Sequence, residues 1–159
     1  MKYLILFVVL IIVLISCTKK VAKDPNLAYS DFALLDSINM GSFTYYKNDP
    51  ATFLPGTIGP HGPYKLRFNK TGFNALTDNG KLPVGKSMPN GSFIVKDIYD
   101  GNNEITLYAF MYKYSGSWLW GEIKPNKEVL YSVYRNPSTC INCHSQTGNR
   151  DLVTTFNFH

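Results

Sequence analysis

Cysteine is scarce in this chain of 159 residues: there are three, and two of them lie within four positions of each other. No second pair accompanies those two, so a zinc site built on two separated cysteine pairs is short of ligands. The alternating strand and helix pattern around a redox Cys-x-x-Cys dithiol is also missing. The longest apolar run, Leu4 to Ile15, has twelve residues, whereas a membrane-spanning helix needs about 20. There is no basic run with interleaved aromatics, which argues against a nucleic-acid partner. Internal repeats and low-complexity segments are absent, and the chain beyond the N-terminal segment has the length of one domain.

What is present begins with Cys140-Ile141-Asn142-Cys143-His144. This spacing is the attachment signature of a c-type haem. Two thiols add across the two vinyl groups of one haem edge, and the two residues between them set the reach. The histidine next to the second cysteine lies under the ring as the proximal iron ligand. Cys140 and Cys143 would carry one covalent haem c, and His144 would hold its iron.

The N-terminus fits that chemistry. Met1-Lys2-Tyr3 and the apolar run precede Ser16-Cys17, and Leu14-Ile15-Ser16-Cys17 resembles a bacterial lipobox. Residues 1–16 then read as a lipoprotein signal peptide and Cys17 as the lipidated first residue of the mature chain. A permanent N-terminal anchor is the alternative, and it leaves the domain on the same side of the membrane. One thiol for lipid and two for haem leave none for a disulfide. Residues 17–26, with Lys19, Lys20, Lys23 and Asp24-Pro25, read as a tether at a lipid surface. The expected location is exported and lipid-anchored to a bacterial membrane, facing the periplasm or the cell surface.

Residues 27–159 read as an α+β domain, mainly an antiparallel β-sheet with a few short helices and a C-terminal haem-attachment segment. Leu27 to Asn39 has Leu27, Phe32, Leu35 and Ile38 at helical spacing, and a second short helix is expected over Thr71–Asp78. Tyr64–Phe68, Ser92–Tyr99, Glu104–Lys113, Ser117–Ile123 and Val129–Tyr134 are rich in β-branched and aromatic residues between turn clusters. Short connections favour antiparallel neighbours.

No methionine lies beyond His144, and the last one is Met111. The sixth iron position is therefore either open or filled from upstream. His61, in Gly59-Pro60-His61-Gly62-Pro63, reads as a loop histidine or a ligand, Met88 as a loop residue, Met111 as core, and His159 as a mobile terminus. The open site is the favoured reading.

Pro89-Asn90-Gly91-Ser92-Phe93-Ile94-Val95-Lys96 resembles the "PDGTVIVK" strand of the cytochrome P-460 family. The Ala-Phe-Met-Tyr-Lys strand ending at Lys113 is similar to its "MVK" strand, and Ser117-Trp118-Leu119-Trp120 to its "GNW" strand; Cys140 to His144 matches its C-terminal haem motif. His61-Gly62-Pro63 through Asn69 resembles a further segment of many members. The resemblance implies an exported, mostly β-sheet monohaem protein, often a homodimer, with an open distal site. It implies one of two activities: reversible binding of nitric oxide or carbon monoxide, as in the c′-beta relatives, or oxidation of hydroxylamine or nitric oxide, as in the P-460 enzymes.

In those enzymes a strand lysine is cross-linked to the haem, and the matching residue is Lys96. Desolvation in an apolar haem pocket would favour its free, nucleophilic amine. The plain alternative is a strand-end lysine facing water. Phe93 and Phe73 are expected as apolar walls of the distal pocket. The glutamate that some enzymes carry two residues before the strand methionine is Ala109 here, which removes the expected proton acceptor. Asp97, Asp100 and Glu104 read as solvated.

Overall fold

The computed structural model describes residues 29–56 and 60–159. The expected signal peptide, the expected lipid site Cys17 and the expected tether lie outside the described residues, as do the first two residues of the expected domain. Among the described residues no helix is long and apolar enough to cross a membrane.

The domain is α+β, as the sequence predicts. Six strands run in order as one antiparallel meander: β1 (Phe43–Tyr45), β2 (Tyr64–Asn69), β3 (Phe93–Tyr99), β4 (Ile105–Tyr114), β5 (Ser117–Ile123) and β6 (Val129–Tyr131). The register of its centre is set by one tight turn. Ser115 and Gly116 both have positive φ, 48° and 77°, the requirement of a two-residue hairpin turn whose twist matches the flanking strands. Tyr114 therefore pairs with Ser117, and counting back brings Met111 opposite Trp120 and Ala109 opposite Glu122.

Alternation gives the sheet two different faces. One carries Phe93, Val95, Tyr108, Phe110 and Ile123, and packs against Leu34, Leu35 and Ile38 of the helix α1 (Asp31–Met40). The other carries Leu66, Phe68, Ile94, Ala109, Met111, Trp118 and Trp120, and is covered by Val153 and Phe156 of the C-terminal segment.

Three local departures have physical causes. α1 starts at Asp31 because Ser30 caps it, its hydroxyl accepting from the Ala33 N–H. The buried stripe is then Leu34, Leu35 and Ile38, which leaves Phe32 52% exposed rather than in the core. The second helix, α2, is Lys70–Asn74 and stops short of Asp78. Asn69 caps its start, while Asn79 and Gly80 at positive φ turn the chain so that Asp78 pairs with Lys81. β1 has three residues, too short to leave a periodic pattern. Two more short helices, α3 (Ser138–His144) and α4 (Thr155–Phe158), lie in the C-terminal segment.

Candidate functional site

α3 is just long enough to align its chemistry. Cys140, Cys143 and His144 stand at i, i+3 and i+4, which is one face of a helix. All three line a cavity of about 310 Å³ between α3, the sheet and the C-terminal segment, at the lower end of the ~300–1,000 Å³ usual for small-molecule pockets. Both thiols are free and half-buried. Burial raises the Cys140 thiol above its ordinary pKa, with the Tyr131 hydroxyl opposing that shift.

His144 is the most constrained of the three. Its ring lies edge-on to Trp120 with centroids 4.6 Å apart, and its Nδ1 is 2.7 Å from the Leu152 carbonyl oxygen. A carbonyl only accepts, so Nδ1–H donates and the lone pair is on Nε2. Burial pushes its pKa down to about 4; the Leu152 bond opposes this, and Lys96 and His61 add to it. The side chain is a neutral imidazole at physiological pH. A hydrogen bond from the second ring nitrogen to a backbone carbonyl is the usual support for a metal-ligating histidine.

The carbonyl that receives this bond sits in an unusual turn. Asp151 and Leu152 both have positive φ, 49° and 64°, a region that a leucine adopts only at a cost of about 1–3 kcal/mol.

The sheet supplies the floor. One cross-strand row runs Leu66, Lys96, Ala109, Glu122, Tyr131, and the next runs Phe68, Ile94, Met111, Trp120. All of these except Phe68 line the cavity. Lys96 is held inside, its Nζ 4.6 Å from the Tyr64 ring centroid. Among the described residues it has no hydrogen bond or ion pair. Burial lowers its pKa from 10.5 to about 8, with Cys143 pulling the other way. Lys96 therefore stands in the pocket with Cys140, Cys143 and His144, not at a wet strand end.

Glu122 is not visible as a site residue in the linear sequence. It accepts from His61, whose Nε2 lies 2.9 Å from Oε1, and both side chains line the cavity while remaining partly exposed. The signal that could have found it is the Ser115-Gly116 turn: the register it dictates brings Glu122 beside Ala109. A carboxylate is thus present one strand over from the position where the family resemblance leads one to look.

Several expected placements are corrected. Phe93 does not reach the cavity. It and Lys96 are three residues apart, so alternation sends them to opposite faces, and Phe93 packs under α1 against Phe43, Phe110 and Tyr112. Phe73 packs beside the cavity-side core but is not among the lining residues. Asp97 is 1% exposed rather than solvated and is paired with Arg67, whose Nη2 donates to Oδ1 at 2.7 Å. Burial raises the Asp97 pKa and Arg67 pulls it back. Met88 lies in the loop before β3, as read, and its side chain is buried there. His159 is half-buried; its carbonyl accepts from Lys47 Nζ at 2.9 Å and its ring meets Tyr64.

The donor set fits a haem. The macrocycle brings its own nitrogens, so the protein need supply only an axial nitrogen, and His144 Nε2 is free on the same cavity as both thiols. The walls are mainly apolar, with Leu66, Ile94, Met111 and Val153. Among the described residues no cluster of three or more histidine, cysteine or acidic side chains could hold a metal ion by itself.

Comparison of the chain with protein-family models, with curated proteins and with solved structures finds no match.

Proposed function

We propose that this chain is an exported, lipid-anchored c-type monohaem protein, a relative of the cytochrome P-460 and c′-beta proteins, whose cavity binds a small gas such as nitric oxide or carbon monoxide. The observation that carries this reading is the convergence of Cys140, Cys143 and His144 on one cavity, with His144 Nδ1 committed to Leu152 and Nε2 left free. Bound there, haem would supply an iron that takes small ligands. The chain's own part is to hold the group through two thioethers, to present a neutral imidazole, and to keep the pocket apolar. His61 is engaged by Glu122 through its Nε2, which supports an open sixth position.

Attachment is tested by acid-acetone extraction. Haem should stay with the denatured chain, and Cys143→Ala should weaken that retention; complete extraction from the intact protein would sink the proposal. His144→Ala should lose the proximal ligand while leaving the thioethers possible. The lipid site is tested separately, since Cys17→Ser should abolish labelling by lipid precursors.

A second reading, an oxidoreductase acting on hydroxylamine or nitric oxide, is favoured by one observation. Lys96, Ala109 and Glu122 lie in a single cross-strand row, so a buried amine and a hydrogen-bonded carboxylate share the cavity. Glu122, held by His61, is placed to take a proton from a protic substrate. In this reading Lys96 is also covalently joined to the haem edge. Proteolysis should then link the C-terminal haem peptide to the peptide containing Lys96, with the ferrous absorption well to the red of an ordinary c-type haem. An ordinary spectrum and peptide map favour the gas-binding reading.

A further inference from the structure

Asp151 is a junction. Its Oδ1 and Oδ2 each accept from Lys113 Nζ at 2.9 Å, Oδ2 also accepts from the Met88 N–H at 2.7 Å, and its carbonyl accepts from Trp118 Nε1–H at 3.0 Å. Lys113 is 3% exposed, and its ammonium sits 4.8 Å from the Trp118 ring centroid. A lysine buried this deeply is retained only where it is paired. The whole arrangement grips one residue from the sheet and from the loop before β3.

That residue is the first of the two left-handed positions. With Asp151 and Leu152 at φ 49° and 64°, neither has the conformation a chain adopts freely. The result of the turn is that the next carbonyl, that of Leu152, points at His144 Nδ1 from 2.7 Å. A strained turn persists only where its surroundings over-determine it, and here they do so through four hydrogen bonds to Asp151.

We propose that Lys113, Asp151 and Trp118 form a positioning clamp whose output is the orientation and tautomer of the His144 imidazole. The clamp holds the Leu152 carbonyl on Nδ1, keeps the proton there, and aims the Nε2 lone pair into the cavity. This rests on the reading of His144 as an axial ligand. With haem bound, a clamp of this kind would act through His144: a firm Nδ1–H donation raises imidazole basicity, which would strengthen the histidine's hold on the iron and lower the reduction potential. Lys113, Asp151 and Trp118 are positioning residues, because each acts through His144.

The test uses the haem-loaded protein. Asp151→Asn and Lys113→Met should shift the iron–histidine stretch in the resonance Raman spectrum of the ferrous form to lower frequency and move the reduction potential upward, with haem still covalently retained. Trp118→Phe removes one donor and keeps most of the ring; it should shift both quantities in the same direction by less, and it decides the question if the charged variants do not fold. Asp97→Asn, which damages the buried ion pair on the other face, should leave both unchanged. Unchanged stretch and potential in the cavity-side variants that fold would overturn the clamp. A second readout needs no haem. In chain made without its leader, ring 15N shifts should report His144 protonated on Nδ1, and Asp151→Asn should mix the two tautomers. A locked tautomer in a chain that never attaches haem would retain the clamp while the haem reading fails, and a tautomer indifferent to Asp151 would remove the clamp while leaving haem attachment intact.

Discussion

Under α1 the sheet buries a carboxylate and a guanidinium side by side, whereas its other face, beyond the paired Lys113 and Asp151, holds the Lys96 amine with no acid beside it. Arg67 and Asp97 lie on neighbouring strands and neutralise each other 2.7 Å apart. Lys96 and Glu122 lie in one row with Ala109 between them, two strand spacings or about 10 Å apart, and Glu122 is committed to His61. The first arrangement is complete without any further group. The second leaves a buried amine, two thiols and an imidazole lone pair facing a shared space. Buried polar groups that satisfy one another belong to the structure, and those that converge on a cavity without such pairing mark a candidate ligand site.

The contrast breaks most sharply on the α1 face. Arg67→Met strands Asp97 without its partner, and a broken buried pair costs about 3–5 kcal/mol. Chemical denaturation should show that loss, while ligand spectra of the folded fraction stay unchanged. A change in the spectra would mean the two faces are not separate.

Lys96 should respond in the opposite direction. Its folded pKa is about 8 against an ordinary 10.5, so the unfolded chain holds the extra proton between those values, and the stability of the wild-type chain rises with pH across that window. Below about pH 8 the charged amine carries the full cost of burial. Lys96→Met, compared with wild type in chain lacking residues 1–16, should therefore be more stable at pH 7 by on the order of 3 kcal/mol. The gain should fade between pH 8 and 10.5. A loss of stability at pH 7 would mean that Lys96 is satisfied in a way its surroundings do not suggest.

Much of this is legible in the chain itself. Five of the six strands come from alternation and turn residues, and the grouping of Cys140, Cys143 and His144 on one side of a helix from their spacing. The assignment of faces is legible too, since the alternation that turns Lys96 inward also turns Phe93 away; reading both as pocket residues overlooks it. Other features depend on pairings between distant positions. Lys113 looks like an ordinary strand lysine until Asp151 arrives 38 residues later. Asp97 looks like a strand-end acid until β2 brings Arg67 beside it. Glu122 needs the register of one turn, and the Leu152 carbonyl needs two backbone angles that no residue type announces.

The smallest expected effect on stability is at Glu122. Its pair with His61 is partly exposed, and such pairs contribute about 0–1 kcal/mol. Glu122→Gln should hardly alter unfolding, yet under the oxidoreductase reading it should slow turnover of hydroxylamine while leaving carbon monoxide affinity nearly unchanged. Equal effects on both would assign Glu122 to the shape of the pocket rather than to proton transfer.

The most direct measurement is the optical spectrum of the native full-length protein in its ferrous form, before and after carbon monoxide, with acid-acetone extraction of a separate sample. Covalently retained haem, a high-spin spectrum and a prompt shift with the gas are the expected result. No retained haem, or a low-spin spectrum indifferent to carbon monoxide, would contradict the assignment of this cavity as an open haem site.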